Sequence, residues 1–220
     1  MSIISQITSS GSSNGPILPR IKYNAVKGQL YKIEREQTAD GWQSSDVKMP
    51  MPVKLAFDFA NMEVGPIAFI ANKPDFHMVK IADVEAGTAK IPPAPTADHK
   101  TSVRVRVYNK ELGVREFMVQ AKVALTSIDG MYEEAKAAPE YKAGKVPVIA
   151  ITGTTEVKFK TPQGGEGSSE QPVMAITAWT DRKAFDEAGA EAEAAPVSKP
   201  APAPAAKAEG AFNMSDDTDF

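Results

Sequence analysis

Cationic and aromatic residues are interleaved along several short stretches of this 220-residue chain. Arg104, Arg106 and Tyr108 stand at every second position. Arg20, Lys22 and Tyr23 lie near the start, followed by Lys27, Tyr31, Lys32 and Arg35. Arg115 with Phe117, Lys158 with Lys160, and Trp179 with Arg182 and Lys183 complete the set. Cations neutralise phosphates while flat side chains stack on unpaired bases, so this mixture is what a single nucleic-acid strand requires. Stacking contributes ~1–3 kcal/mol per base and tolerates any base sequence, because every base has a π face. Phe117 shares a face with Val119 and ranks below Tyr108, Tyr31 and Tyr23 as a stacking residue. A second chemical feature lies at the other end, where Asp216, Asp217 and Asp219 precede Phe220. Three carboxylates, one apolar ring and a terminal carboxylate make a hook that a basic-rimmed apolar pocket on a partner protein would match.

The residues of common enzymes are missing by comparison. With no cysteine there is no disulfide framework, thiolate metal site or cysteine nucleophile. His77 and His99 sit in unrelated sequence contexts and in no metal-ligand spacing, and Asp75-Phe76-His77 reads as structural or surface residues. The run TPQGGEGSSE at 161–170 lacks the Lys-Ser/Thr ending and following helix of a phosphate-binding loop, and reads as a long hairpin loop. The carboxylate pairs Asp83/Glu85 and Glu133/Glu134 read as solvated surface charge. A non-enzyme without metal or cofactor is expected.

Strands must position the cations. In 52–59, Val53, Leu55, Phe57 and Phe59 alternate with Lys54, Ala56 and Asp58, the period of a half-buried strand. In 102–108, Val103, Val105 and Val107 face a core, which puts Arg104, Arg106 and Tyr108 on the opposite face. A turn through 109–113 leads into 114–121, forming a hairpin. Further strands are expected at Gln29–Arg35, Val64–Ala71, Met78–Ala82, Val146–Thr152, Thr155–Lys160 and Pro172–Trp179. One amphipathic helix, Lys122–Ala137, is expected to pack over an open end of the sheet, with Pro139 stopping it. Many short strands and a single central helix favour a small antiparallel barrel.

Composition divides the chain. Residues 1–15 read as a flexible arm, 16–183 as the folded body, 184–210 as a disordered Ala/Pro-rich linker and 211–220 as an acidic tip. The formal net charge of −3 is unevenly placed: 184–220 hold eight acidic and two basic residues, a net of −6, leaving +3 on 1–183. No stretch approaches the ~20 apolar residues of a membrane span, so a soluble, intracellular protein is expected.

A basic β-rich body, a Pro/Ala-rich linker and the ending Asp216-Asp217-Thr218-Asp219-Phe220 resemble bacterial and phage single-stranded DNA-binding proteins. The segments PRIKYNAVKGQLYKIERE, GVREFMVQAKVAL, GKVPVIAITG and PVMAITAW look like phage-encoded members. The tip has Thr218-Asp219 where the bacterial one usually has Ile-Pro. The resemblance implies an OB-fold-like barrel that coats unwound DNA in the host cytoplasm, and a tip that recruits replication, recombination and repair enzymes. The expected activity is sequence-independent binding of single-stranded DNA over the face bearing Arg104, Arg106 and Tyr108, with self-association open. The acidic tail is expected to compete with DNA for that face. The competing reading is a structural or scaffold protein of a virion or complex that uses the tail as a docking peptide.

Overall fold

The computed structural model describes residues 18–38, 41–70, 73–161 and 164–183. The arm, the linker and the tip, with Asp216, Asp217, Asp219 and Phe220, lie outside the described residues.

The fold is mainly β, with eleven strands among the described residues joined in one sheet. They are β1 (Arg20–Asn24), β2 (Gln29–Thr38), β3 (Gly41–Lys48), β4 (Val53–Phe57), β5 (Glu63–Ile70), β6 (Lys73–Phe76), β7 (Val79–Lys80), β8 (Lys100–Asn109), β9 (Gly113–Val119), β10 (Val146–Lys160) and β11 (Glu166–Thr180). The helices with both ends among the described residues are α1 (Ile81–Glu85), α2 (Lys122–Ala137) and α3 (Pro139–Lys142). The main path runs β11-β10-β4-β8-β9-β1-β2-β3.

Strand β8 is the spine, because its alternating Val and Arg residues suit a strand with one buried face. Val105 and Val107 are 1% exposed, whereas Arg104 and Tyr108 are half-buried and Arg106 is exposed on the other side. One edge of β8 carries β9 along its length, through a turn in which Asn109 Oδ1 accepts from the Glu111 amide and Gly113 takes a φ of 67°. The other edge is shared. β4 takes Val107 and Tyr108, β5 takes Lys100–Arg104, and the 3₁₀ turn Phe59–Asn61 joins the two. The Asp58 amide donates to the Arg106 carbonyl at 2.9 Å, bridging that interruption.

The core lies on the valine side. Phe57 and Phe117 pack edge to face with centroids 5.7 Å apart, surrounded by Ile21, Leu30, Leu55, Ile149 and Ile151. Fully burying such a side chain contributes ~1.5–3 kcal/mol. Helix α2 occupies the range expected of it and seals this core with Ala124, Ile128, Tyr132 and Ala135. Its Ser127 Oγ donates to the Pro172 carbonyl of β11.

The sheet curls but its ladder does not close. β1 approaches β11 through two hydrogen bonds, Glu170 N–H to the Ala25 carbonyl and Tyr23 O–H to the Glu170 carbonyl, both 2.7 Å. Gly28, at φ 59°, lies so near that a Cβ would sit 3.0 Å from Glu170 Cβ and from Thr154 Oγ1.

Several expectations need correction. The sheet is not wholly antiparallel, since β1 runs parallel to β9. Two short helices accompany the expected one, and α1 begins at Ile81, inside the strand expected at Met78–Ala82. The run Glu166–Glu170 is strand rather than loop, because β11 pairs with β10 out to Lys160. No helix among the described residues is long and apolar enough to cross a membrane.

Candidate nucleic-acid interface

Opposed residues of paired strands point to the same side of a sheet, so the ladder registers define the face opposite the core. Arg106 is level with Glu116 and Arg104 with Met118. Arg20 stands beside Glu116 and Lys22 beside Met118 in the parallel pair. Lys22 is in turn level with Tyr31, and Arg20 with Ile33. From β5, Glu63 faces Arg104, and the residues two, four and six further on bring Gly65, Ile67 and Phe69 to the same side. β6 adds Phe76, opposite Ile67. Strands distant in sequence thus assemble one surface from Arg20, Lys22, Tyr31, Phe69, Phe76, Arg104, Arg106 and Met118.

On this surface each ring meets a cation. The Arg20 guanidinium lies 5.4 Å from the Phe69 centroid, the Arg104 guanidinium 5.3 Å from Phe76, and the Lys22 ammonium 5.8 Å from Tyr31. All are within the ~6 Å reach of a cation–π interaction. Phe69 and Phe76 contact each other edge to face at 6.2 Å, and Phe69 remains 51% exposed. A cavity of about 440 Å³ opens between Arg20, Lys22, Ile33, Phe69, Met118 and Gln120.

Carboxylates hold Arg104 and Lys22 in place. Arg104 Nε donates to Glu63 Oε2 at 2.6 Å, and its Nη1 lies 3.8 Å from Glu116. Lys22 is ion-paired with Asp46. Glu116 is only 19% exposed. Burial pushes its carboxyl above the ordinary carboxylate range, while Arg104, Arg20 and Arg106 partly oppose the shift. The surface therefore combines one exposed ring, Phe69, two half-buried rings, Tyr31 and Phe76, cations held by carboxylates, and an internal anion that a phosphate could replace as the guanidinium partner.

No family model, curated protein or solved structure matches the chain.

Several expected contacts lie elsewhere. Tyr23 belongs to the core side with Ile21, is 9% exposed, and donates its hydroxyl to Glu170; burial first, then the Glu170 charge, pushes its pKa up to about 12. Phe117 is a core ring at 2% exposure. Trp179 is half-buried against the core, opposite Pro147. Arg115 is level with Val107 on the inner side, its Nε donating to the Leu112 carbonyl. Lys32, level with Ile21, is ion-paired with Glu34. Tyr108 is on the cationic side but packs against Ala56 beside Val146 and Val148. Lys27 is exposed in the β1–β2 turn, and Lys158 and Lys160 are exposed on the far part of β10. Arg35 lies in β2 opposite Ser44, and its side chain is outside the described residues.

Sequence reasoning missed Phe69, Phe76 and Met118. The parity of β5 was available as a signal: Phe69 lies six residues after Glu63, hence on the side that faces Arg104.

Proposed function

We propose that this protein binds single-stranded DNA without sequence preference, across the surface that carries Arg20, Lys22, Tyr31, Phe69, Phe76 and Arg104. The observation that carries this reading is the set of three cation–ring pairs on one sheet face, next to an open cavity. Guanidinium and ammonium groups take phosphates, and accessible ring faces, Phe69 foremost, take bases that are free of pairing. Duplex DNA keeps its bases stacked and offers such rings little.

The same reading takes the curled sheet as an OB-type barrel. It is supported by the helix inserted between β9 and β10 and by the approach of β1 to β11. It assigns Asp216, Asp217, Asp219 and Phe220 to recruitment of replication, recombination and repair enzymes, on the strength of the tip's charge and terminal ring.

The test is an anisotropy titration with labelled single-stranded and duplex oligonucleotides. Native protein should prefer the single strand, and Phe69→Ala and Phe76→Ala should each weaken binding by about 1–3 kcal/mol, with unchanged melting behaviour for the exposed Phe69. Equal affinity for duplex, or affinities untouched by both substitutions, would remove the reading in favour of a structural role.

A further inference from the structure

The chain has two histidines, and the fold brings them together beside the β5–β6 hairpin. Asp75 is the penultimate residue of the short strand β6, His77 immediately follows the strand, and His99 immediately precedes β8. His77 Nε2 is 3.0 Å from Asp75 Oδ1, and His99 Nε2 is 3.1 Å from Asp75 Oδ2. The imidazole centroids are 5.4 Å apart. One ligand atom from each of the three residues lies within 4.8 Å of the others. The His99 side chain is fully buried, whereas Asp75 and His77 are 43% and 40% exposed.

The backbone is shaped to hold this arrangement. The His77 amide donates to the Pro66 carbonyl at 3.0 Å, and its own carbonyl runs against Gly65, where a Cβ would come within 2.0 Å. Only a glycine in β5 admits the chain at that point. His99 is tied to Thr96 twice, its amide donating to the Thr96 carbonyl and its Nδ1 lying 2.9 Å from Thr96 Oγ1.

We infer that Asp75, His77 and His99 form a binding site for a divalent late transition metal of the zinc class. Two imidazole nitrogens and one carboxylate oxygen are the borderline donor set that such ions take, in contrast to the all-oxygen sets of magnesium and calcium. Bonds of ~2.0–2.1 Å to a tetrahedral ion separate ligand atoms by roughly 3.3 Å. The two nitrogen–oxygen distances, one to each oxygen of the Asp75 carboxylate, are near that value. Rotation of the exposed Asp75 carboxylate and His77 ring would bring both imidazoles and one carboxylate oxygen onto a single ion, and the open side leaves the fourth position to water. In the metal-bound state Nδ1–H of His99 donates to Thr96 Oγ1 and the Nε2 lone pair faces the ion, so that Thr96 acts as the outer partner that fixes tautomer and ring orientation. A bound ion would fasten β6, and Phe76 with it, to the start of β8. The metal site does not depend on the DNA-binding reading.

The full chain, without affinity-tag histidines, is titrated with cobalt(II) and its visible absorption followed. One equivalent should produce the intense bands of a tetrahedral ion and be displaced by zinc. His77→Ala and Asp75→Asn should each weaken binding by at least ~10-fold, and zinc should raise the melting temperature of the native chain but not of His77→Ala. His77 is exposed enough for its replacement to leave the fold intact, which circular dichroism checks. A variant with Asp216, Asp217 and Asp219 changed to Asn should bind as the native chain does. Absence of a stoichiometric cobalt complex, its retention in His77→Ala, or its loss only when the tip is neutralised would each overturn the site and leave a hydrogen-bonded Asp–His pair.

Discussion

Glu116 illustrates how single residues tune the cationic surface. Its carboxylate competes with any incoming phosphate for Arg104, and burial raises its proton affinity. Lowering the pH through that raised value neutralises Glu116, so single-strand affinity should increase as pH falls. Glu116→Gln should tighten binding by about 2–5-fold at low salt, the weight of a partly exposed ion pair at ~0.5–1 kcal/mol, and flatten the pH dependence. An oligonucleotide titration at two pH values checks both; affinity that falls on acidification would contradict them. The linkage to stability has the matching sign. With its folded-state pKa above the unfolded one, Glu116 contributes stability that is complete below the unfolded value and is lost as pH rises through the folded one. At this scale, the alternating registers of Arg104 and Arg106 with the β8 valines were legible in sequence. Tyr23 shows where adjacency misleads: it follows Lys22 directly and therefore points to the other side, with Ile21. The meeting of His77 and His99 had no local signal, because 21 intervening residues separate them.

Among the elements, the β5–β6 hairpin and the β1–β2 turn matter most to the site. The hairpin supplies Phe69 and Phe76, the two rings covered by arginines. The turn brings β1, with Arg20 and Lys22, against β11. Gly28 has the positive φ that L side chains resist, and its Cα faces Glu170 and Thr154. Gly28→Ala should therefore destabilise the protein by at least ~1–2 kcal/mol, lowering the melting temperature by roughly 2–8 °C for a chain of this size. A thermal melt checks it, and an unchanged midpoint would mean that the turn tolerates a side chain. The β8–β9 hairpin and helix α2 were legible because each carries an unbroken period, two and near 3.6. β1, β3 and β6 were not, since short or polar strands draw their stability from neighbours rather than from their own pattern. The glycine-rich stretch misled for the converse reason: pairing with β10 holds Glu166–Glu170 extended despite a composition that favours a loop.

For the molecule as a whole, the proposed function makes the division of charge the control on binding. A +3 body and a −6 tail predict that removing residues 211–220 tightens single-strand binding at low salt, because half of the competing net charge leaves with Asp216, Asp217 and Asp219. Weaker or unchanged affinity after truncation would dismiss tail competition. Affinity should also fall with salt at a logarithmic slope of roughly −0.7 per phosphate neutralised, and a flat response would remove the electrostatic part of the reading. Composition, charge placement and strand periodicity were determined by the sequence alone: a mainly β body, a central Val/Arg strand, one long amphipathic helix, and an acidic end. These are local quantities, written in successive residues. Only the tertiary structure decided that β1 runs parallel to β9, that Arg20 covers Phe69 and Arg104 covers Phe76, and that Asp75, His77 and His99 converge. Those facts depend on which strands pair and in what register. Pairing is set by burial summed over the whole sheet, which no single stretch of sequence contains.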